Sequence, residues 1–73
     1  MEYRGYSFEI KTYDIQPPLP QGSRFGGKVI DLRSPDGQPT SFFAHEHWGI
    51  TKDEAFAKAR DEAKGWIDQQ LGP

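Results

Sequence analysis

From Tyr6 to Ile15 apolar and polar residues alternate with a period of two, which sets Tyr6, Phe8 and Ile10 on one side and Glu9, Lys11 and Tyr13 on the other. The alternation predicts a half-buried strand. It ends near Ile15, because Pro17, Pro18 and Pro20 remove backbone donors and fix φ, so the chain leaves the sheet as a loop over 16–23. A second strand is predicted over 24–33, where the apolar positions change parity: Phe25 and Val29 share one face, Ile30 and Leu32 the other. The Gly26-Gly27 pair marks a place for a bulge that reconciles them, and the pattern leaves open which set faces inward. Ser34-Pro35-Asp36-Gly37-Gln38 has the chemistry of a tight reversal. A third strand is predicted over 40–48, with Phe42, Ala44 and Trp48 on one face and Phe43, His45 and His47 on the opposite one.

The period then changes to that of a helix. Thr51 followed by Glu54 is a capping box, in which the hydroxyl accepts the Glu54 amide and the carboxylate reaches back to the Thr51 amide. Phe56, Ala59, Ala63, Trp66, Ile67 and Leu71 recur at spacings of three and four and form one apolar stripe. Glu54 with Lys58, and Lys64 with Asp68, are outward pairs four residues apart. Gly72 and Pro73 supply the stop. Gly65 weakens the helix by about 1 kcal/mol relative to Ala, which predicts a close neighbour there.

The order β-β-β-α with short connections predicts one α+β domain over residues 1–73, a three-stranded antiparallel meander with the C-terminal helix packed on one face. The expected core is Tyr6, Phe8, Ile10, Phe42, Ala44, Trp48, Phe56, Ala59, Ala63, Trp66, Ile67 and Leu71. One helix shields one side of such a sheet. The other side meets water or a partner.

With 73 residues, a small core follows, since a chain of this length buries only about 60% of its unfolded surface. Cysteine is absent, which removes disulfides, zinc-thiolate sites and thiol nucleophiles and fits a cytoplasmic setting. No run approaches the roughly 18 apolar residues of a membrane span, and Met1-Glu2-Tyr3-Arg4 leads into polar sequence, so neither membrane insertion nor export is expected. A net charge of -2 with scattered Lys and Arg lacks the basic footprint with which nucleic-acid binding ordinarily begins.

Tyr3-Arg4-Gly5-Tyr6, Phe25-Gly26-Gly27, the helix entry Gly49-Ile50-Thr51-Lys52-Asp53-Glu54-Ala55 and Gly65-Trp66-Ile67-Asp68 together resemble a group of short proteobacterial proteins of unknown function, over nearly the whole chain. The β-β-β-α order with its Thr-x-x-Glu-Ala helix start is also similar to the HicB-type antitoxin domain and to the core of double-stranded RNA-binding domains. A HicB-type antitoxin carries a DNA-binding segment after the helix, whereas this sequence stops at Pro73, so that resemblance implies a truncated, partner-binding half. Against the RNA-binding resemblance, a helix before the sheet is missing and Lys52 is followed by Asp53 and Glu54 in place of a lysine-rich helix entry.

Few residues carry chemistry. His45 and His47 project to one side of a strand and could chelate a divalent ion, but two ligands fall short of the three or four that zinc requires, so no metal or other cofactor is expected. Pro17-Pro18-Leu19-Pro20 matches a short motif read by WW-type domains, although in a loop between strands prolines chiefly stiffen the chain. The serines lack a nucleophile elbow and no glycine-rich phosphate loop precedes the helix, so the chain is expected to be non-enzymatic. Lys11, Tyr13, Lys28, Phe43, His45 and His47 form the candidate interaction surface on the uncovered face. A protein partner or a homodimer is the first expectation for it, and a single-stranded nucleic acid stacked on Tyr13 and Phe43 is the alternative.

Overall fold

The computed structural model describes residues 1–72; Pro73, read above as part of the helix stop, lies outside the described residues. Four strands, β1 (Glu2–Tyr3), β2 (Tyr6–Asp14), β3 (Phe25–Arg33) and β4 (His47–Gly49), form an antiparallel sheet in the order β1-β2-β3-β4, and α1 (Lys52–Leu71) packs against it. The protein is therefore an α+β meander with its helix on one face. Two strand predictions need correction. β1 is additional: Arg4 and Gly5, at φ 52° and 90°, make a two-residue turn that folds Glu2–Tyr3 back on Tyr6–Ser7. The strand expected over 40–48 shrinks to His47–Gly49.

β2 and β3 pair from Ser7↔Arg33 to Asp14↔Phe25. Beyond Asp14, the Ile15 amide donates to the Arg24 carbonyl at 2.8 Å, and the proline loop is closed by the Leu19 amide on the Ser23 carbonyl. The parity change in β3 has a definite origin. The ladder slips between Ser7 and Glu9, where Asp31 stands at φ 55° as the extra residue, so Val29 and Leu32 both turn inward and Ile30 turns out. The bulge thus lies at Asp31, not at Gly26-Gly27; a short polar side chain tolerates the left-handed region, and the Arg33 Nε donates to Asp31 Oδ1 at 2.8 Å.

The two glycines answer to packing. A Cβ on Gly27 would stand 2.6 Å from the Ala55 carbonyl oxygen, and one on Gly49 would stand 2.7 Å from the Ala55 amide nitrogen. The first turn of α1 therefore rests directly on sheet backbone. Farther along, the fully buried Ala59, Ala63 and Ile67 follow Ala55 at four-residue intervals and meet Phe8, Val29 and Leu32. Tyr3, Tyr6, Ile10, Phe42, Ala44 and Trp66 surround this centre half-buried, with the Trp66 ring edge-on to Tyr6 at 6.2 Å and to Phe42 at 5.5 Å. Val29, Leu32 and Ala55 are core positions missing from the expected set. Trp48 and Leu71 leave it because both are exposed, and Phe56 is half-buried outside the central cluster.

At the start of α1, Thr51 Oγ1 accepts the Glu54 amide at 3.1 Å as foreseen, while the Glu54 carboxylate pairs with Lys58 at 3.3 Å. Near its end the expected Lys64–Asp68 pair is replaced. Asp68 instead accepts from Arg4 Nη1 at 2.8 Å and from the Tyr3 hydroxyl at 3.0 Å, and Lys64 Nζ lies 5.1 Å from the centre of the Tyr3 ring. These contacts clasp the β1 turn to the helix. Gly65 is exposed with open space beside it, so no close neighbour explains it.

The reversal at Ser34–Gln38 forms as predicted, with the Ser34 amide donating to the Gln38 carbonyl and the Gly37 amide to the Ser34 carbonyl, each at 2.9 Å. After an isolated bridge from Pro39 to Arg33 and a hydrogen bond from the Thr40 hydroxyl to the Leu32 carbonyl at 2.9 Å, the chain lifts away from β3 and crosses toward the helix, residues 40–46 forming a strap. Phe42 and Ala44 press into the core from the strap, and β3 regains a partner only at His47.

Candidate interaction surface

The uncovered face is built from the residues that alternate with the core positions of the central strands. Because Ile10 and Val29 face α1, the register places three rows on the far side: Glu9 beside Ile30, Lys11 beside Lys28, and Tyr13 beside Gly26 and Trp48. Sheet twist aside, these rows stack along the strands at alternate-residue spacing. Tyr13 is laid across the sheet. A side chain on Gly26 would collide with its ring, and its hydroxyl donates to Glu46 Oε1 at 2.9 Å, so the missing Cβ makes the bed in which the phenol lies. Burial, joined by that hydrogen bond and the Glu46 charge, pushes the Tyr13 hydroxyl up from its ordinary value.

Trp48 stands 39% exposed across from Gly26, with Ile30 and Ile50 also exposed. Its place follows from a second parity change. In the strap Phe42 and Ala44 turn inward, whereas in β4 the inward positions are His47, aimed at the helix, and Gly49, set against Ala55. The shift between Ala44 and His47 throws Trp48 onto the open face. In sequence it shares parity with Phe42 and Ala44, so alternation alone assigns it to the core.

The electrostatics of the face are unbalanced at its middle. Lys11 and Lys28 sit directly opposite each other, an arrangement that costs a few tenths of a kcal/mol to about 1 kcal/mol without an intervening anion. Ion pairs among the described residues engage Arg4, Arg33, His45, His47, Lys58 and Arg60, but neither of these lysines. Both are exposed.

Phe43, His45 and His47, expected beside Tyr13, lie elsewhere. Phe43 sits on the strap, 80% exposed, with its ring edge-on to His45 at 5.8 Å. His45 and His47 turn to the helix and hold one carboxylate between them. His45 Nδ1 lies 2.6 Å from Glu62 Oε2, His47 Nε2 lies 3.0 Å from Oε1, and the His45 backbone amide donates to both oxygens at 3.3 Å. Partial burial pushes the Glu62 carboxyl up, but the hydrogen bonds from His45 and His47, reinforced by the His45 amide and the His47 charge, outweigh it and hold the carboxyl below its usual range. This clasp ties the strap to α1. Each imidazole takes a different oxygen, so the carboxylate lies between the two rings, and among the described residues no group of three or more His, Asp or Glu is placed to hold a metal ion.

The six residues singled out from sequence thus divide in two: Lys11, Tyr13 and Lys28 share the open face, while Phe43, His45 and His47 belong to the strap and its clasp. Sequence reasoning put Glu9 on the side of Lys11 and Tyr13 and left the side of Ile30 open, but it missed Trp48 on the face and Glu62 in the clasp. Nothing in the sequence sets Glu62 apart from the other acidic residues of the helix. Among the described residues no helix is long and apolar enough to cross a membrane. No protein-family model, curated protein or solved structure matches this chain.

Proposed function

We propose that this chain is a small non-enzymatic interaction module that binds a protein, or a second copy of itself, through the open face of its sheet. The observation that carries the reading is the Lys11–Lys28 row, neither lysine of which is in an ion pair among the described residues, set between an aromatic row, Tyr13 with Trp48, and the row of Glu9 with the exposed Ile30. Exposed aromatic and aliphatic groups beside cations suit a protein segment that offers carboxylates and apolar side chains together. Two copies stacked face to face about the lysine row would bring like charges together, which favours a different, acidic protein as the occupant. A HicB-like partner-binding half would be one instance of this reading.

A nucleic-acid reading draws on the same face, since single-stranded bases stack on exposed aromatics next to basic side chains. The pair first considered for it, Tyr13 and Phe43, is unsuited, because the Tyr13 ring is committed to Gly26 and Glu46 and Phe43 belongs to the strap. Trp48 is the favourable aromatic in its place.

The test is a titration of the isotope-labelled chain with ten-residue peptides that alternate Glu or Asp with Phe, Leu or Val, compared with a labelled oligothymidine at low salt. Expected are amide shifts confined to Lys11, Tyr13, Lys28, Ile30 and Trp48 that weaken with salt, for the peptides and not for the oligothymidine. The reverse preference establishes the nucleic-acid reading in its place. Silence of these amides toward every peptide, toward the oligothymidine and on raising the chain's own concentration to millimolar would end both.

A further inference from the structure

β2 is paired along its whole length on one side only. Its inner edge follows β3 from Ser7 to Asp14, but its outer edge is met by β1 only at Tyr6 and Ser7, with Met1 exchanging hydrogen bonds with Phe8 at 2.6 and 2.9 Å. Within a strand the N–H and C=O of one residue point to the same edge, and successive residues alternate. The phase is set at both ends: Phe8 points outward to Met1, and the Ile15 amide points inward to the Arg24 carbonyl. Ile10, Thr12 and Asp14 therefore turn their backbone groups outward, beyond the reach of β1. The bulge does not disturb this alternation, because its extra residue lies in β3. Hydrogen bonds outside the helix and ladders reach none of these three residues among those described.

We infer that this edge, Ile10 to Asp14, joins antiparallel to the same edge of a second copy, with Thr12 facing Thr12 across a two-fold axis. Three considerations choose the register. With the axis at Thr12, Ile10 lies opposite Asp14 at both ends, and every outward-pointing residue of the free edge gains a partner that exchanges both N–H···O bonds with it. Centring the axis one residue earlier faces Lys11 with Lys11 and calls on Phe8, which Met1 already holds. Centring it one residue later calls on Gln16, past the end of β2 and directly before Pro17. A lysine in the middle of a free edge ordinarily guards against pairing. Here Lys11 of each copy lies beside Tyr13 of the other, so the guard meets an aromatic residue and no like charge. Thr12 meets Thr12, a favourable cross-strand pair.

The axis stands perpendicular to the sheet, so the two four-stranded sheets become one continuous layer. Both helices lie on the same side of it and both open faces on the other. The inference is independent of what the open face binds, because the edge uses backbone groups that the face does not.

A ladder this short predicts a weak dimer, to be sought by sedimentation of the intact chain from about ten micromolar to millimolar, where a monomer–dimer equilibrium is expected. Thr12→Pro removes an outward amide and none of the bonds to β3, and should weaken the dimer about tenfold or more while the circular dichroism of the helix is retained. The register is read separately with single cysteines in a chain that has none of its own. Residues facing one another at an antiparallel two-fold have Cα atoms within disulfide reach, so oxidised Thr12→Cys should give a covalent dimer, whereas Lys28→Cys, on an inner strand, should not. Should Thr12→Pro fail to fold, the cysteine pair decides alone. A chain that stays monomeric to millimolar, or cross-linking of Thr12→Cys no faster than of Lys28→Cys, overturns the inference.

Discussion

On one side of β3 the ladder with β2 runs from Phe25 to Arg33, while on the other it is broken: β4 takes Phe25 to Gly27, Pro39 makes a single bridge to Arg33, and the strap between them departs. Both flanking segments alternate apolar and polar residues. What separates them is the helix. Against β2 the helix contacts only side chains that a pleated strand already presents, above all Phe8. Against the strap it competes with β3 for the backbone itself, because Phe42 seats beside Trp66 and Glu62 takes the His45 amide that could otherwise join a ladder. Ladder hydrogen bonds with a net worth of about 1 kcal/mol each can be exchanged for burial of an aromatic ring plus charge-assisted bonds to a carboxylate.

Substitutions rank by how directly they disturb this competition. Gly27→Ala should act most strongly, since its Cβ would stand 2.6 Å from the Ala55 carbonyl oxygen, a backbone atom of the helix that cannot swing aside as a side-chain end could. A loss of about 3 kcal/mol in urea unfolding is expected where α1, β3 and β4 meet. Phe42→Ala comes next, at about 2 kcal/mol, less than for a fully buried ring because Phe42 is half-buried. It should also free the strap, seen as faster hydrogen exchange over 40–46 with little change in β2.

Glu62→Gln should cost about 1 kcal/mol and selectively expose the His45 amide to exchange. The same group sets a pH dependence. With its folded pKa held below the unfolded value of about 4.3, the Glu62 carboxylate contributes stability that is fully present above about pH 5 and is lost as pH falls through the folded value. Asp68, lowered chiefly by its hydrogen bond from Arg4 and then by that from Tyr3, acts in the same direction. Urea midpoints measured from pH 7 to pH 2 should therefore fall at the acid end, less steeply for Glu62→Gln than for the parent; equal slopes would show that the clasp is not linked to folding. The smallest effect is a gain. Gly65→Ala enters open space in a helix and should stabilise by up to about 1 kcal/mol without altering either side of β3.

Legibility in sequence followed the range of the interaction involved. The run Tyr6–Asp14 and the helix with its Thr51 cap could be recognised because each is specified by neighbours within a few residues. β1 was hidden, since two residues carry no periodicity, although Arg4-Gly5 before Tyr6 is a turn signal in retrospect. The open face was half visible: Glu9, Lys11 and Tyr13 were placed together by simple alternation, the side taken by Lys28 and Ile30 stayed open because the apolar positions of their strand change parity, and Trp48 and the histidines were misassigned where alternation slips. It slips twice, at Asp31 and between Ala44 and His47. One residue of slip inverts every side chain after it.

Sequence alone determined the class of this protein, its helix boundaries, the long strand at its centre and the fact that one sheet face would lie bare, because these depend on local periodicity and on there being a single helix to cover the sheet. Tertiary structure decided what that bare face contains. Whether Trp48 points to solvent or to the core, and whether His45 and His47 flank a surface or grip Glu62, depends on where the strap leaves β3. That point is set by competition between sheet and helix for the same backbone, which involves residues far apart in the chain and leaves no periodic trace among near neighbours.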